Sequence, residues 1–226
     1  MTDTFTTPHG RSIAYVRTPG QGPGVVFLGG FMSDMTGTKA VFLQDWAQAR
    51  GRAFLRFDYS GHGASSGEFL DGCIGDWAED ARDAFESLTV GPQVLVGSSM
   101  GGLVAQGLAT KRLDLVRAMV LANTAAKIGG PALWEARIAE VAAHGLAAYA
   151  PGAMERIFGR GWREAPRMPR IRAILEGMNP DGWIGSAHAI AGADFFTPLS
   201  TLHLPALVIA GSFDGTTPPD LVRETA

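Results

Sequence analysis

The chain is short of several things, and each shortage excludes something. It has a single cysteine, Cys73, so no disulfide can form within it. A reducing compartment, the cytoplasm, is the expected address. Cys73 sits in FLDGCIGDW without a basic neighbour to make its thiol reactive, and it reads as structural. No apolar run approaches the roughly 18 to 20 residues needed to cross a bilayer, so no membrane partner is expected. The opening MTDTFTTPHGRS has no basic stretch leading into an apolar one, and no signal peptide is read there. Charge of one sign is also scarce: 19 Lys and Arg against 22 Asp and Glu leave a formal charge of −3. This balance argues against nucleic acid as a main partner, because phosphate binding needs clustered cations. Histidine is the last shortage, with five in the chain and none after His203.

What is present suits one globular domain with an inserted part: 226 residues, 46% of them hydrophobic. Residues 12–17 (SIAYVR) alternate polar and apolar after the turn signal PHGR, as a strand of an edge hairpin would. Short apolar runs at 24–28, 53–57, 94–97, 116–121 and 206–210 read as buried strands. Helical patterns at 38–50, 75–88 and 100–110 alternate with them. This order predicts an α/β fold, a mostly parallel sheet with helices on both faces. In such sheets the active residues stand in loops at the carboxyl ends of the strands. Residues 123–198 break the alternation with helical pieces at 131–145, 147–158, 171–177 and 181–191, separated by Gly and Pro. The expected organisation is a core of 1–122 and 199–226, with 123–198 as a helical lid over the sheet edge. A helical layer without a role at the site is the plainer alternative.

GSSMG, residues 97–101, fits G-x-S-x-G with Ser99 at its centre and Ser98 at an x position. The strand VLV precedes it and the helix MGGLVAQGLA follows, the context a nucleophile elbow requires. Small flanking residues let the chain turn sharply and lift the hydroxyl to a helix N-terminus, where free N–H groups can steady an oxyanion. A glycine-rich phosphate turn is the competing reading, but the Lys of a P-loop is absent. FLGGFMSD, residues 27–34, follows the preceding strand, and backbone N–H groups of Phe31 and Met100 are the expected oxyanion donors. FDYSGHGAS, residues 57–65, supplies a third motif, D-x-x-G-x-G-x-S. Together the three, in this order, identify the α/β-hydrolase fold.

In this fold the triad runs Ser, then Asp or Glu, then His. ALVIAGSFDGTTPP places Asp214 in a Gly-rich turn just beyond a late strand, which makes it the expected acid. Asp220 reads instead as a first-turn helix acid. No histidine follows Asp214. His9 belongs to a hairpin turn, His203 precedes its strand, and His144 and His188 fall in the lid. His62 stands at the carboxyl edge in a GHG turn that usually packs structurally. His62 and His188 are the substitutes to weigh as proton acceptor. The simpler expectation is a chain that stops before a last strand, a His-bearing loop and a closing helix, leaving 206–210 as a bare edge. A catalytically silent scaffold is then the reading from another class.

From about Leu103 onward the sequence resembles 3-oxoadipate enol-lactonases, through LVRAMVLANTAAKIG, LWEARIAEVAAHGL and LPALVIAGSFDGTTPPDLVRETA. The resemblance implies Ser99 and Asp214 as triad members, a family histidine beyond Ala226, and Trp134 and Arg137 as lid residues facing substrate. Their i, i+3 spacing puts both on one helix face, and a guanidinium can bind the lactone's free carboxylate in bidentate fashion. A core Trp beside a surface Arg is the plain alternative. The first hundred residues, through GGFMSDMTGTKA, RAFLRFDYSGHGASSGEF and GPQVLVGSSMGG, resemble bacterial relatives of a group that cleaves acyl thioesters and acyl glucuronides. The chain thus reads as two relatives joined near the nucleophile helix. A serine hydrolase acting on a small-molecule ester or lactone is implied, with neither metal nor organic cofactor. Carboxylesterase or acyl-thioesterase activity is the alternative.

Overall fold

The computed structural model describes residues 2–30 and 33–226. Seven strands form one sheet: β1 (Asp3–Thr6), β2 (Ser12–Thr18), β3 (Gln21–Leu28), β4 (Arg52–Phe57), β5 (Gln93–Ser98), β6 (Val116–Ala122) and β7 (Ala206–Ile209). Their spatial order is β1-β2-β4-β3-β5-β6-β7. The β1–β2 hairpin is antiparallel and β2 pairs antiparallel with β4; every other pairing is parallel. The turn between β1 and β2 uses Gly10 at φ 82°, a left-handed conformation that glycine adopts without a Cβ clash.

Side-chain alternation along the central strands divides the apolar residues between two faces. Val25 and Phe27 of β3 pack with Phe54 and with Ala40 and Ala47 of helix α1 (Thr38–Gln48). Val26 and Leu28 face the other way, with Leu55, Leu95 and Leu121, under α2 (Ile74–Leu88) and α3 (Met100–Lys111). That second cluster contains Trp77, Phe85, Val104 and Leu108, all buried. Burial of each such side chain stabilises the fold by about 1.5–3 kcal/mol. Because helices cover both faces, these strands read as continuous apolar runs rather than as alternating ones.

Between β6 and β7 lie α4 (Pro131–Ile157), α5 (Met168–Glu176), α6 (Pro180–Gly192) and the short α7 (Phe196–Leu199). Gly145, at φ 76° and ψ 173°, breaks α4 into two arms. A second apolar cluster holds this layer together, with Trp134, Val141, Tyr149, Trp183 and Ile190 packed on Leu103 and Ala125. Asn179 caps α6, its side chain accepting from the N–H groups of Asp181 and Gly182, so the helix starts where Pro180 fixes φ. After β7 comes α8 (Pro219–Arg223). β7 ends the strand order with Leu207 and Ile209 exposed. No described helix is long and apolar enough to cross a membrane.

Candidate active site

The chain passes from β5 into α3 through Ser99, which has φ 54° and ψ −123°. A positive φ is costly for a residue with a Cβ, on the order of 1–3 kcal/mol, and persists only where neighbours enforce it. Here close backbone approach enforces it. A methyl on Gly97 would come within 2.6 Å of the Gly101 carbonyl oxygen, and one on Gly101 within 2.1 Å of the Leu28 carbonyl oxygen. The Ser99 N–H donates to the Ala122 carbonyl at 3.0 Å, and the Gly102 N–H to the Ser99 carbonyl at 2.9 Å. Ser99 is thereby lifted off the sheet edge, half-buried and lining a cavity.

The loop after β3 reaches the same place. A Cβ on Gly30 would lie 3.0 Å from the Ser98 carbonyl oxygen and 3.4 Å from the Ser99 Cβ. Asp58 Oδ1, just beyond β4, accepts from the Met35 N–H at 2.6 Å, and Asp58 Oδ2 from the Ala64 N–H at 2.9 Å. The Arg56 guanidinium donates to the Met35 carbonyl. The D-x-x-G-x-G segment thus anchors the loop that approaches Ser99. Burial pushes the Asp58 carboxyl above the usual range, against the two N–H bonds and the His62 charge, with Asp34 adding to the rise. Met100 is fully buried at the first turn of α3, where its N–H has no carbonyl four residues back inside the helix. Phe31, the other expected oxyanion donor, lies outside the described residues.

Asp214 also lines the cavity. Its Oδ1 accepts from the N–H groups of Thr216 and Thr217 at 2.8 and 2.9 Å. Its Oδ2 accepts from Thr217 Oγ1 at 2.8 Å and Asn123 Nδ2 at 3.0 Å. The carboxylate is therefore fixed at the carboxyl edge, next to β6 and β7, by four donors. Asp220 pairs with Arg223 on exposed α8 at 2.8 Å and takes no part in the cavity.

The remaining walls come from α4, α5 and α6 and enclose about 580 Å³. Trp134 and Arg137 both line it, and the Arg137 guanidinium lies 4.8 Å above the Trp134 ring. Trp134 Nε1 donates to the Ile128 carbonyl at 2.5 Å, which fixes the ring. Burial lowers the Arg137 pKa; Tyr149 opposes the shift and the Arg156 charge adds to it.

Three residues that the sequence patterns did not single out join the site: Lys39, Asn123 and Arg156. The stem of Lys39 is exposed, but its ammonium donates to Ser98 Oγ at 2.7 Å, and burial of that end lowers its pKa below 10.5. Arg156 lies 5.1 Å over the Tyr149 ring. Their seven-residue spacing on a helix was a visible signal; nothing local marked Lys39.

None of the five histidines lines this cavity. His62 is buried, its Nδ1 3.1 Å from the Ser60 carbonyl, inside a ring of Tyr59, Phe69 and Trp77. Burial chiefly holds its pKa below 6.5. His188 lies on a separate groove between α2, α3 and α6. His9, His144 and His203 are exposed elsewhere. Neither substitute weighed from the sequence thus stands beside Ser99. Cys73 is exposed at the start of α2, its N–H donating to Asp76 at 3.0 Å.

A sheet in this order, with a serine on a strained strand-to-helix turn and a carboxylate beyond a late strand, defines an α/β-hydrolase. Residues 25–225 match the model of the alpha/beta hydrolase family, and the chain belongs to that family. It is 40% identical to the mitochondrial palmitoyl-protein thioesterase ABHD10 of Rattus norvegicus over 109 residues, 48% of this chain and 37% of the relative. It is 34% identical to 3-oxoadipate enol-lactonase 2 of Acinetobacter baylyi over 163 residues, 71% of this chain and 61% of the relative. The matched part is thus less than two thirds of either protein. The solved enol-lactonase of Burkholderia xenovorans LB400 superposes with a TM-score of 0.82 at 27% identity, covering 99% of this chain and 86% of that one. Both resemblances read from the sequence, to enol-lactonases and to a thioesterase group, are present among these relatives.

Proposed function

We propose that the chain is a serine hydrolase that opens a lactone or carboxylic ester through an acyl-enzyme, with 3-oxoadipate enol-lactone as its preferred substrate. The observation that carries this reading is one cavity shared by Ser99, Asp214, Trp134 and Arg137. Ser99 Oγ attacks the carbonyl carbon, and the N–H groups of Phe31 and Met100 hold the oxyanion. Collapse of the tetrahedral adduct breaks the ring C–O bond, the freed oxygen takes up the proton that the Ser99 hydroxyl gave up, and water then hydrolyses the serine ester, restoring that hydroxyl. Asp214 is the acid placed to orient an imidazole, which no described residue lining the cavity supplies. The lactonase relatives and the lid arm bearing Trp134 and Arg137 favour the lactone over a long neutral acyl thioester.

A second reading has an observation of its own. No histidine lines the cavity, which favours a silent scaffold that binds such molecules without turning them over. Two measurements separate the readings. A fluorophosphonate probe labels the chain, and Ser99→Ala abolishes the label, if the serine is activated; an unlabelled parent chain supports the scaffold. Hydrolysis of the enol-lactone, a nitrophenyl ester and palmitoyl thioester is then compared with and without added imidazole. Enol-lactone turnover that is fastest of the three and rises with imidazole supports the lactonase; fastest thioester cleavage overturns the substrate assignment.

A further inference from the structure

The two arms of α4 repeat one device. On the first, Arg137 stacks on Trp134 at 4.8 Å; on the second, past the break at Gly145, Arg156 stacks on Tyr149 at 5.1 Å. All four side chains line the cavity that holds Ser99. Stacking fixes each guanidinium plane but leaves its N–H fork unspent. Among the described residues, neither arginine forms an ion pair. The one carboxylate in the cavity, Asp214, already accepts from Asn123, Thr216 and Thr217. Arg156 Nη2 is buried and bonds to nothing.

A buried donor without a partner is costly, the more so on a charged group. The two cations also line one cavity, and the Arg156 charge contributes to lowering the pKa of Arg137. Such a pair is poorly balanced until an anion enters. Elsewhere the lining is largely apolar, with Ile128, Ile171, Ile174 and Leu175 on the walls, so the cavity offers an apolar bed ending in two cationic forks.

We infer that Arg156 acts with Arg137 as a two-guanidinium receptor for a carboxylate on the substrate, which restricts the site to small esters or lactones carrying a free acid. This rests on the hydrolase reading for the reaction, but the receptor is tested without it. The acid seats between the forks, each arginine donating to one or both of its oxygens. Neutral acyl groups leave both forks unpaired and are rejected for that reason.

The test uses the Ser99→Ala chain and calorimetric titration with adipate, with adipamide as the neutral control. Adipate binds and adipamide does not. Arg156→Gln and Arg137→Gln each weaken adipate about 10- to 100-fold, and Arg156→Lys, which keeps the charge but loses the fork, recovers part of the loss. Among the described residues Arg156 Nη2 has no hydrogen-bond partner to lose, and the Arg156 backbone carbonyl still accepts from Gly215 at 2.8 Å. Arg156→Gln is therefore expected to melt close to the parent. Adipate binding that is unchanged in Arg156→Gln, or absent from the Ser99→Ala chain, overturns the receptor. A lowered melting temperature with unchanged affinity also overturns it, assigning Arg156 to packing alone. Fluorophosphonate labelling, run separately on chains that retain Ser99, decides the hydrolase reading whatever the titration shows.

Discussion

The elbow around Ser99 and the arms of α4 line the same cavity, but they are built by different means. The elbow is made of backbone: glycine against carbonyl oxygen, and one serine held at φ 54°. The α4 wall is made of side chains on a helix, with rings supporting guanidinium groups and a half-buried Gly145 whose added Cβ would meet nothing within 4 Å. Backbone contacts leave no room for change because main-chain atoms cannot rotate out of the way. Side-chain walls can be exchanged one residue at a time. On the proposed function, the reaction belongs to the rigid part and the choice of substrate to the replaceable part.

The comparison is tested most forcefully with one substitution made at the elbow and again in the helical layer of α4 to α6. Gly101→Ala forces a methyl toward the Leu28 carbonyl oxygen, where it would lie 2.1 Å away. It should cost upward of about 3 kcal/mol, read as a large drop in urea midpoint or as insoluble protein. Gly185→Ala, inside α6 with nothing within 4 Å, should have the opposite sign and stabilise by about 0.5–1 kcal/mol. Equal effects at the two sites would remove the distinction.

A smaller effect is expected from the support behind the elbow. Asp58→Asn keeps the shape but replaces one acceptor with an NH₂ group, which must face the N–H of Met35 or Ala64. Stability should fall by about 1–3 kcal/mol. On the proposed function, labelling of Ser99 should slow by roughly tenfold, because the Asp58 bonds support the chain on either side of the serine's approach. Unchanged labelling would mean that Met35 and Ala64 keep their places without this carboxylate.

The smallest effect tests whether His62 belongs to packing. Its folded pKa lies below 6.5 because it is buried. Between that lowered value and 6.5 the unfolded chain holds more protons, so stability is lost as pH falls through this window. His62→Phe should flatten the loss, so that urea midpoints at about pH 7.5 and pH 5.5 differ less than in the parent. A steeper pH dependence in the variant would assign the titration to another group.

Much of this was legible in the sequence. The runs at 24–28, 53–57 and 94–97 announce strands because both sheet faces are covered, and the glycines around Ser99 announce the turn because only glycine fits between those carbonyls. The break in α4 could be read from Gly145 alone. Illegible features depend on tertiary approach. Lys39 looks like any solvated first-turn lysine until α1 is laid beside the end of β5, where its ammonium meets Ser98. Asn123 looks like a loop residue until β7 brings the 211–217 turn beside it, at φ 50° with its amide on Asp214. Arg156 had a readable spacing to Tyr149, but its missing ion-pair partner is a fact of three dimensions.

One peptide contact ties the two parts of the cavity together. The Gly215 N–H, next to Asp214, donates to the Arg156 carbonyl at 2.8 Å, and a methyl on Gly215 would meet that same oxygen at 3.2 Å. Anyone grafting a foreign lid onto this scaffold must therefore supply a carbonyl at that point in space. Without it the turn that carries Asp214 loses its strut, and a graft chosen only for its substrate preference would shift that carboxylate as well.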